Sequence, residues 1–76
     1  MKFTVYGPGC SNCEKTAENA KKAAEELGVD YEVEKVEDLN EMTKAGVMTT
    51  PGLAVDGDLK VTGQVPEVEE IKEIIN

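Results

Sequence analysis

The chain has 76 residues, of which 39% are hydrophobic, and its formal net charge of −8 comes from 16 acidic and 8 basic side chains. This length predicts one domain, spanning residues 1–76, with a core that is small but sufficient for folding. The acidic balance argues against nucleic acid and anionic membranes as partners, because both bind basic surfaces. No apolar run approaches the ~18 residues of a membrane-spanning helix.

The first predicted element is a strand at residues 2–6, where apolar and polar side chains alternate. A turn at Gly7-Pro8-Gly9 ends it, because proline can neither continue a strand nor start a helix early. Met1-Lys2-Phe3 leads directly into the strand and has no apolar signal segment, so we expect the protein to be cytoplasmic.

The next feature is the pair Cys10 and Cys13, the only cysteines, at the start of a helix predicted over residues 11–27. Residues three apart in a helical turn have Cα atoms about 5–5.5 Å apart, within the range of roughly 4.4–6.8 Å that a disulfide needs. The helix start also favours a thiolate. A bridge closing so short a loop removes little chain entropy, on the order of 2 kcal/mol. The spacing therefore favours a reactive pair over a structural bridge and leaves metal binding as an alternative.

The remaining helix predictions follow from periodicity and capping. The first helix has an apolar face and a stop at Gly28. A short helix through Ala45 starts at a capping-box pattern beginning with Asp38 and stops at Gly46. Pro66 is placed in the first turn of a last helix. The apolar face of the first helix is Cys13, Ala17, Ala20, Ala24 and Leu27, and that of the last is Val68, Ile71, Ile74 and Ile75.

Three further strands are predicted. Residues 30–36 alternate weakly and form the second strand, and residues 53–55 and 59–61 form a hairpin around Asp56-Gly57. The resulting order is β-α-β-α-β-β-α. A helical connection makes the first two strands parallel, and the hairpin makes the last two antiparallel. This predicts an α/β fold with a four-stranded mixed sheet flanked by three helices, and with Cys10 and Cys13 at the carboxyl end of the first strand, where open α/β sheets bind and react.

Two stretches, residues 5–13 (VYGPGCSNC) and residues 48–57 (MTTPGLAVDG), resemble the compact thioredoxin-like proteins of archaea and anaerobic bacteria. The resemblance covers essentially the whole chain. It implies a minimal thioredoxin fold and a thiol–disulfide oxidoreductase that works as an electron carrier. It also implies disulfide-containing protein substrates, a reductant similar to thioredoxin reductase, a monomer, and no bound cofactor or metal.

The resemblance also implies roles for four residues. Cys10 is the exposed nucleophile, and Cys13 is the resolving thiol one turn deeper. The position of Cys10 at the helix entrance also predicts that it is the more acidic of the two thiols. Pro51 is a cis-proline beside the disulfide, and Thr50 offers its backbone to an extended substrate segment. Thr4 stands where thioredoxins have a buried acid, so the proton shuttle for Cys13 is not implied.

The main alternative is a metal-binding module of β-α-β-β-α-β order, whose two thiolates hold copper(I). The helix predicted at 38–45 and the Thr50-Pro51 pair count against it, since such modules lack that helix and give the pair no role. Of the remaining residues, Met42 and Met48 are expected in the core, and Tyr6 is expected to be half-buried.

Overall fold

The computed structural model describes residues 1–7 and 11–75. Its elements follow the predicted order, and the predicted α/β fold is confirmed. The first helix has the predicted bounds. In chain order the elements are β1 (Lys2–Tyr6), α1 (Ser11–Leu27), β2 (Glu32–Val36), α2 (Leu39–Ala45), β3 (Gly52–Val55), β4 (Asp58–Thr62) and α3 (Val68–Ile75).

The four strands form one mixed sheet in the order β2-β1-β3-β4. As predicted, β1 and β2 are parallel and β3 and β4 are antiparallel. Tyr6 lies opposite Val36 on one side and Gly52 on the other. The chain that follows β1, the chain that follows β2 and the chain that precedes β3 therefore meet at one end of the sheet, which we call the site end.

The main core lies between one face of the sheet and the helices α1 and α3, which pack against each other. Side chains alternate between the faces of a strand, so Thr4 and Ala54 are buried on the other face. Val47, which follows α2, covers part of that face, because a carbon added to Gly52 would lie 3.1 Å from its Cγ1. The core side chains of the sheet are Phe3, Val5, Leu53 and Val55, those of α1 are Cys13, Ala17, Ala20, Ala23 and Ala24, and Ile71 comes from α3.

The buried face of α1 differs from the predicted one at three positions. Thr16 and Ala23 are fully buried. Thr16 tolerates burial because its hydroxyl donates a 2.9 Å hydrogen bond to the carbonyl of Asn12, one turn earlier. Leu27, in the last turn, is 37% exposed, so its predicted place on the apolar face is wrong.

The predicted stop of α1 is confirmed. Gly28 has φ 71°, a left-handed conformation that glycine adopts without steric cost. The Val29 N–H then donates to the Ala24 carbonyl at 3.1 Å, which satisfies a carbonyl that the ending helix leaves without a partner.

The short helix α2 is also confirmed with both of its caps. The Asp38 side chain accepts a 2.8 Å hydrogen bond from the Asn40 N–H, and Gly46 closes the helix with φ 87°. Met42 is buried, as expected, but Met48 is 90% exposed, so its predicted place in the core is wrong. The reason is that the chain turns away from the core after Val47, whose N–H still donates to the Met42 carbonyl at 2.8 Å.

Two element starts are later than predicted. β2 begins at Glu32 because its pairing with β1 begins there, opposite Lys2. α3 begins at Val68, so Pro66 does not lie in its first turn. Pro66 is buried before the helix, where its carbonyl accepts a 2.8 Å hydrogen bond from Asn19 Nδ2 of α1.

The hairpin turn is confirmed, with positive φ at both Asp56 and Gly57. Its strands are longer than predicted, since β3 starts at Gly52 and β4 covers Asp58–Thr62. None of the helices in the described ranges has the length and apolar character needed to cross a bilayer.

Candidate functional site

Three segments of the chain meet at Gly7, which is buried directly after β1. A carbon added at Gly7 in the position of a Cβ would overlap Sγ of Cys13, and it would lie 3.8 Å from Cβ of Thr50. The end of β1, the first turn of α1 and the loop before β3 are therefore in contact at the site end. This contact brings two of the predicted site residues, Cys13 and Thr50, to one place.

Cys13 lies in the first turn of α1 with its side chain toward the core, and it is 2% exposed. Ser11 and Asn12, its neighbours in the predicted motif, are exposed. Exposed and buried residues follow each other within this turn because only one face of the helix is directed at the core. Cys10 lies outside the described residues, so its exposure remains a prediction.

The Thr50–Pro51 peptide bond is cis. Pro51 is buried, and its carbonyl accepts a 2.9 Å hydrogen bond from the Gly63 N–H. Thr50 is exposed, and no backbone hydrogen bond among residues 1–7 and 11–75 involves it. Its peptide groups therefore remain available at the site end.

Two large apolar side chains are exposed at the site end, and we call them the apolar rim. Met48 precedes Thr50 by two residues and is 90% exposed, and Leu39, the first residue of α2, is 77% exposed. Both belong to segments that the sheet register brings to this end, since they flank the partners of Tyr6. Side chains of this size at such exposure lose contact with water only when another molecule covers them.

Sequence reasoning missed Gly7 and Met48 as residues of the site. It assigned Gly7 to a turn, and no spacing distinguishes a turn glycine from one that leaves room for a sulfur. For Met48 a signal existed, because it follows the end of the α2 periodicity and stands in a polar segment. The described residues contain no cluster of three or more His, Cys, Asp or Glu side chains that could hold a metal ion.

A family model described as a thioredoxin domain matches residues 1–76. Over 76 residues the chain is 47% identical to a thioredoxin of Methanothermobacter thermautotrophicus, covering all of this chain and 99% of the relative. It is 51% identical over 69 residues to a thioredoxin of Methanocaldococcus jannaschii, covering 91% of this chain and 79% of the relative. The chain belongs to the thioredoxin family.

This membership confirms the resemblance found in the sequence, and with it the minimal thioredoxin fold and the activity of a thiol–disulfide oxidoreductase. A probable thioredoxin of Methanothermobacter thermautotrophicus is also similar, at 33% identity over 72 residues that cover 91% of this chain and 84% of the relative. The alternative metal-binding module has the order β-α-β-β-α-β. This thioredoxin-family chain does not have that order, because α2 lies between β2 and β3.

Proposed function

We propose that Cys10 and Cys13 exchange disulfides with protein substrates in two steps. The Cys10 thiolate attacks one sulfur of the substrate disulfide, a Cys10–substrate disulfide forms, and the first substrate thiolate leaves. The Cys13 thiolate then attacks the Cys10 sulfur and displaces the second substrate thiolate. The substrate gains two electrons. The protein is left with a Cys10–Cys13 disulfide until a reductase supplies two electrons and restores the two thiols.

The observation that carries this assignment is the burial of Cys13 at 2% exposure. A protein disulfide cannot reach a sulfur enclosed by the core, whereas the sulfur of Cys10, only three residues earlier in the chain, is expected to come within reach of Cys13. The order of attack therefore follows from depth, because only the second step takes place inside the protein.

The substrate segment is expected to lie along Thr50 and to contact Met48. The Thr50 peptide groups suit an extended chain, which binds through main-chain hydrogen bonds. Met48 adapts its shape to different apolar side chains. Pro51 forms the buried floor below Thr50, as its burial and its hydrogen bond to Gly63 support.

We also propose the partners and the cellular location of the protein. The substrates are disulfide-containing proteins, and the reductant is an enzyme similar to thioredoxin reductase. The protein works as a single domain and a monomer in the cytoplasm, where a single reactive cysteine pair suits the reducing conditions. No cofactor or metal is required for the exchange.

Trapping with cysteine variants tests the proposed roles. Cys13→Ser should accumulate a stable mixed disulfide with an oxidised protein such as insulin, because the second step is lost. Cys10→Ser, the matched control, should accumulate no such mixed disulfide. Mass spectrometry of the trapped peptide verifies the mixed disulfide, and trapping by Cys10→Ser but not by Cys13→Ser would reverse the assignment.

A metal titration tests the copper alternative. We expect the reduced protein to catalyse insulin reduction by dithiothreitol, and this activity to need both cysteines. Equilibrium dialysis against copper(I) with a competing chelator provides the contrast. Tight binding of one copper ion together with no reductase activity would mean that the cysteine pair holds copper and does not exchange disulfides.

A further inference from the structure

Gly7 is a glycine for a different reason than most of the glycines in the described residues. Gly28, Gly46, Gly57 and Gly63 have positive φ, so their backbone favours glycine. Gly7 is not among them. An added carbon at Gly28, Gly46 or Gly57 would meet nothing within 4 Å, whereas at Gly7 it would overlap the sulfur of Cys13. Space for that sulfur explains the glycine here.

We propose that Gly7 is a positioning residue that fixes the Cys13 sulfur in place for the second step of exchange. The contact itself is independent of the mechanism, and only the name of the step rests on the proposed function. The Cys13 sulfur lies directly against the Gly7 backbone, in the space that any other side chain would occupy. The end of β1 thus sets how deep the sulfur lies below the site end.

The β1 backbone and the whole Cys13 side chain take part in this contact. The Gly7 N–H donates a 2.9 Å hydrogen bond to the Val36 carbonyl, which continues the pairing of β1 with β2. An added carbon would also lie 3.3 Å from Cβ of Cys13, so the whole side chain is close, not only its end. A methyl group at Gly7 would therefore drive the sulfur into another staggered rotamer.

Such a displacement acts on one step only. In the second step the Cys13 thiolate forms a bond to the Cys10 sulfur while the bond from that sulfur to the substrate breaks, and the leaving thiolate takes a proton from water. This requires three sulfurs in line. The first attack does not involve the Cys13 sulfur, so a change at Gly7 should leave it unaltered.

An aromatic disulfide, 5,5′-dithiobis(2-nitrobenzoate), separates the two steps because each releases one coloured thiolate. With Gly7→Ala we expect the first release to keep its rate and the second to slow by ~10²-fold, the scale on which a small misplacement of a reacting group acts. If both releases in Gly7→Ala keep their native rates, or if both slow equally, the proposal is overturned.

Gly52→Ala is the matched control for general loosening of the fold. Its added carbon would lie 3.1 and 3.3 Å from the two methyl groups of Val47, so it also crowds a buried site but contacts no sulfur. We expect it to lower stability and to leave the second release unchanged. If Gly52→Ala slows that release as much as Gly7→Ala does, position relative to the sulfur is not the cause.

A double-mutant cycle with Cys13→Ala tests the contact without any redox step. Removing the sulfur removes the overlap and leaves only the 3.3 Å approach to Cβ of residue 13, so Gly7→Ala should lower the urea midpoint of the reduced native protein much more than that of Cys13→Ala. If Gly7→Ala alone fails to fold and the double variant folds, the coupling is shown directly. Equal losses in both backgrounds would refute the contact. If Cys13 reacts first with the aromatic disulfide, the proposed function is wrong, and the cycle still decides whether Gly7 holds the sulfur.

Discussion

The two ends of the sheet differ in how they treat their polar backbone. At the end with the hairpin turn, which we call the turn end, the Asp56 N–H donates to the Lys2 carbonyl and the Asp56 carboxylate accepts from the Lys2 N–H, both at 2.8 Å. The Glu32 N–H donates to the Met1 carbonyl at 2.9 Å, which ties β2 to the start of the chain. This end is closed by its own hydrogen bonds.

At the site end, some backbone groups and apolar side chains are left exposed. Thr50 makes no backbone hydrogen bond among residues 1–7 and 11–75, and the apolar rim of Leu39 and Met48 is exposed. Backbone groups that the chain satisfies itself contribute to folding, and those that it leaves to solvent are available to a partner. With the proposed function, stability comes from the core and the turn end, and substrate binding takes place at the site end.

The largest effect that separates these roles should come from Ile71→Ala in α3. Ile71 is fully buried, and its loss leaves a cavity in the core where α3 packs against α1, so the free energy of unfolding should fall by about 2–5 kcal/mol. Urea unfolding measures this loss. Insulin reduction per folded molecule should not change, because Ile71 lies at neither end of the sheet.

Ile71→Val is the milder control, with an expected loss of about 0.5–1.5 kcal/mol. If either variant loses exchange activity while fully folded, the separation between stability and exchange is incorrect.

The second effect should come from Asp56→Ala at the turn end. This change removes the carboxylate that accepts from Lys2 and places alanine at φ 51°, so we expect a loss of about 1–2 kcal/mol. Asp56→Asn keeps an acceptor oxygen and tolerates the left-handed region, so it should stay close to the native stability. An equal loss in both variants, measured in urea, would mean that neither the hydrogen bond nor the φ angle is the cause.

The sequence predicted most of the fold because its elements carry local signals. The bounds of α1 follow from a periodic face and Gly28, and α2 follows from Asp38 and Gly46, each confirmed by its capping hydrogen bonds. The prediction for Pro66 was wrong because its position depends on Asn19, 47 residues away, and no local pattern contains that hydrogen bond.

The site divides in the same way. Cys13, Thr50 and Pro51 were predicted from motifs, and the cis bond between the last two agrees with the expectation. The positions of Gly7 and Met48 at the site end were not predicted, because they depend on which segments the sheet register brings together. The place of a sulfur against a glycine is a property of tertiary packing, which spacing along the chain does not encode.

The third effect sharpens the assignment of binding to the site end. Met48→Ser should raise KM for a protein substrate roughly tenfold, which is ~1.4 kcal/mol and about half of what full burial of a methionine contributes. We expect kcat to stay unchanged and stability to stay within about 0.5 kcal/mol, since Met48 is 90% exposed.

Two controls accompany this test. Met48→Leu keeps an apolar side chain and should restore most of the native KM. Leu27→Ser changes an exposed apolar residue at the opposite end of α1 from Cys13, and it should leave KM unaltered. A KM that rises equally for Leu27→Ser would show that the effect is not specific to the apolar rim.

The smallest effect should come from Lys72→Met, far from the site end. Lys72 Nζ lies 2.8 Å from Glu26 Oε1 of α1 and 3.2 Å from Glu69 Oε1, so it links α3 to the last turns of α1. The hydrogen bond to Glu26, and then that to Glu69, raise the pKa of Lys72 above its ordinary value of 10.5. A raised pKa means that the folded state holds the proton more tightly than the unfolded state does. The stabilisation is therefore complete below pH 10.5 and is lost as the pH rises through the pKa of the folded protein.

The measurement is the difference in urea midpoint between the native protein and Lys72→Met as a function of pH. Methionine does not titrate, so this difference should be small and constant at neutral pH and should disappear at strongly alkaline pH. Added salt should also reduce it, because the group is open to solvent. Lys44→Met is the control, since Lys44 lies 3.9 Å from Glu41 within the same helix and links no two elements. A difference that grows with pH for Lys72→Met would mean that the lysine charge destabilises the junction of α1 and α3, contrary to its contacts.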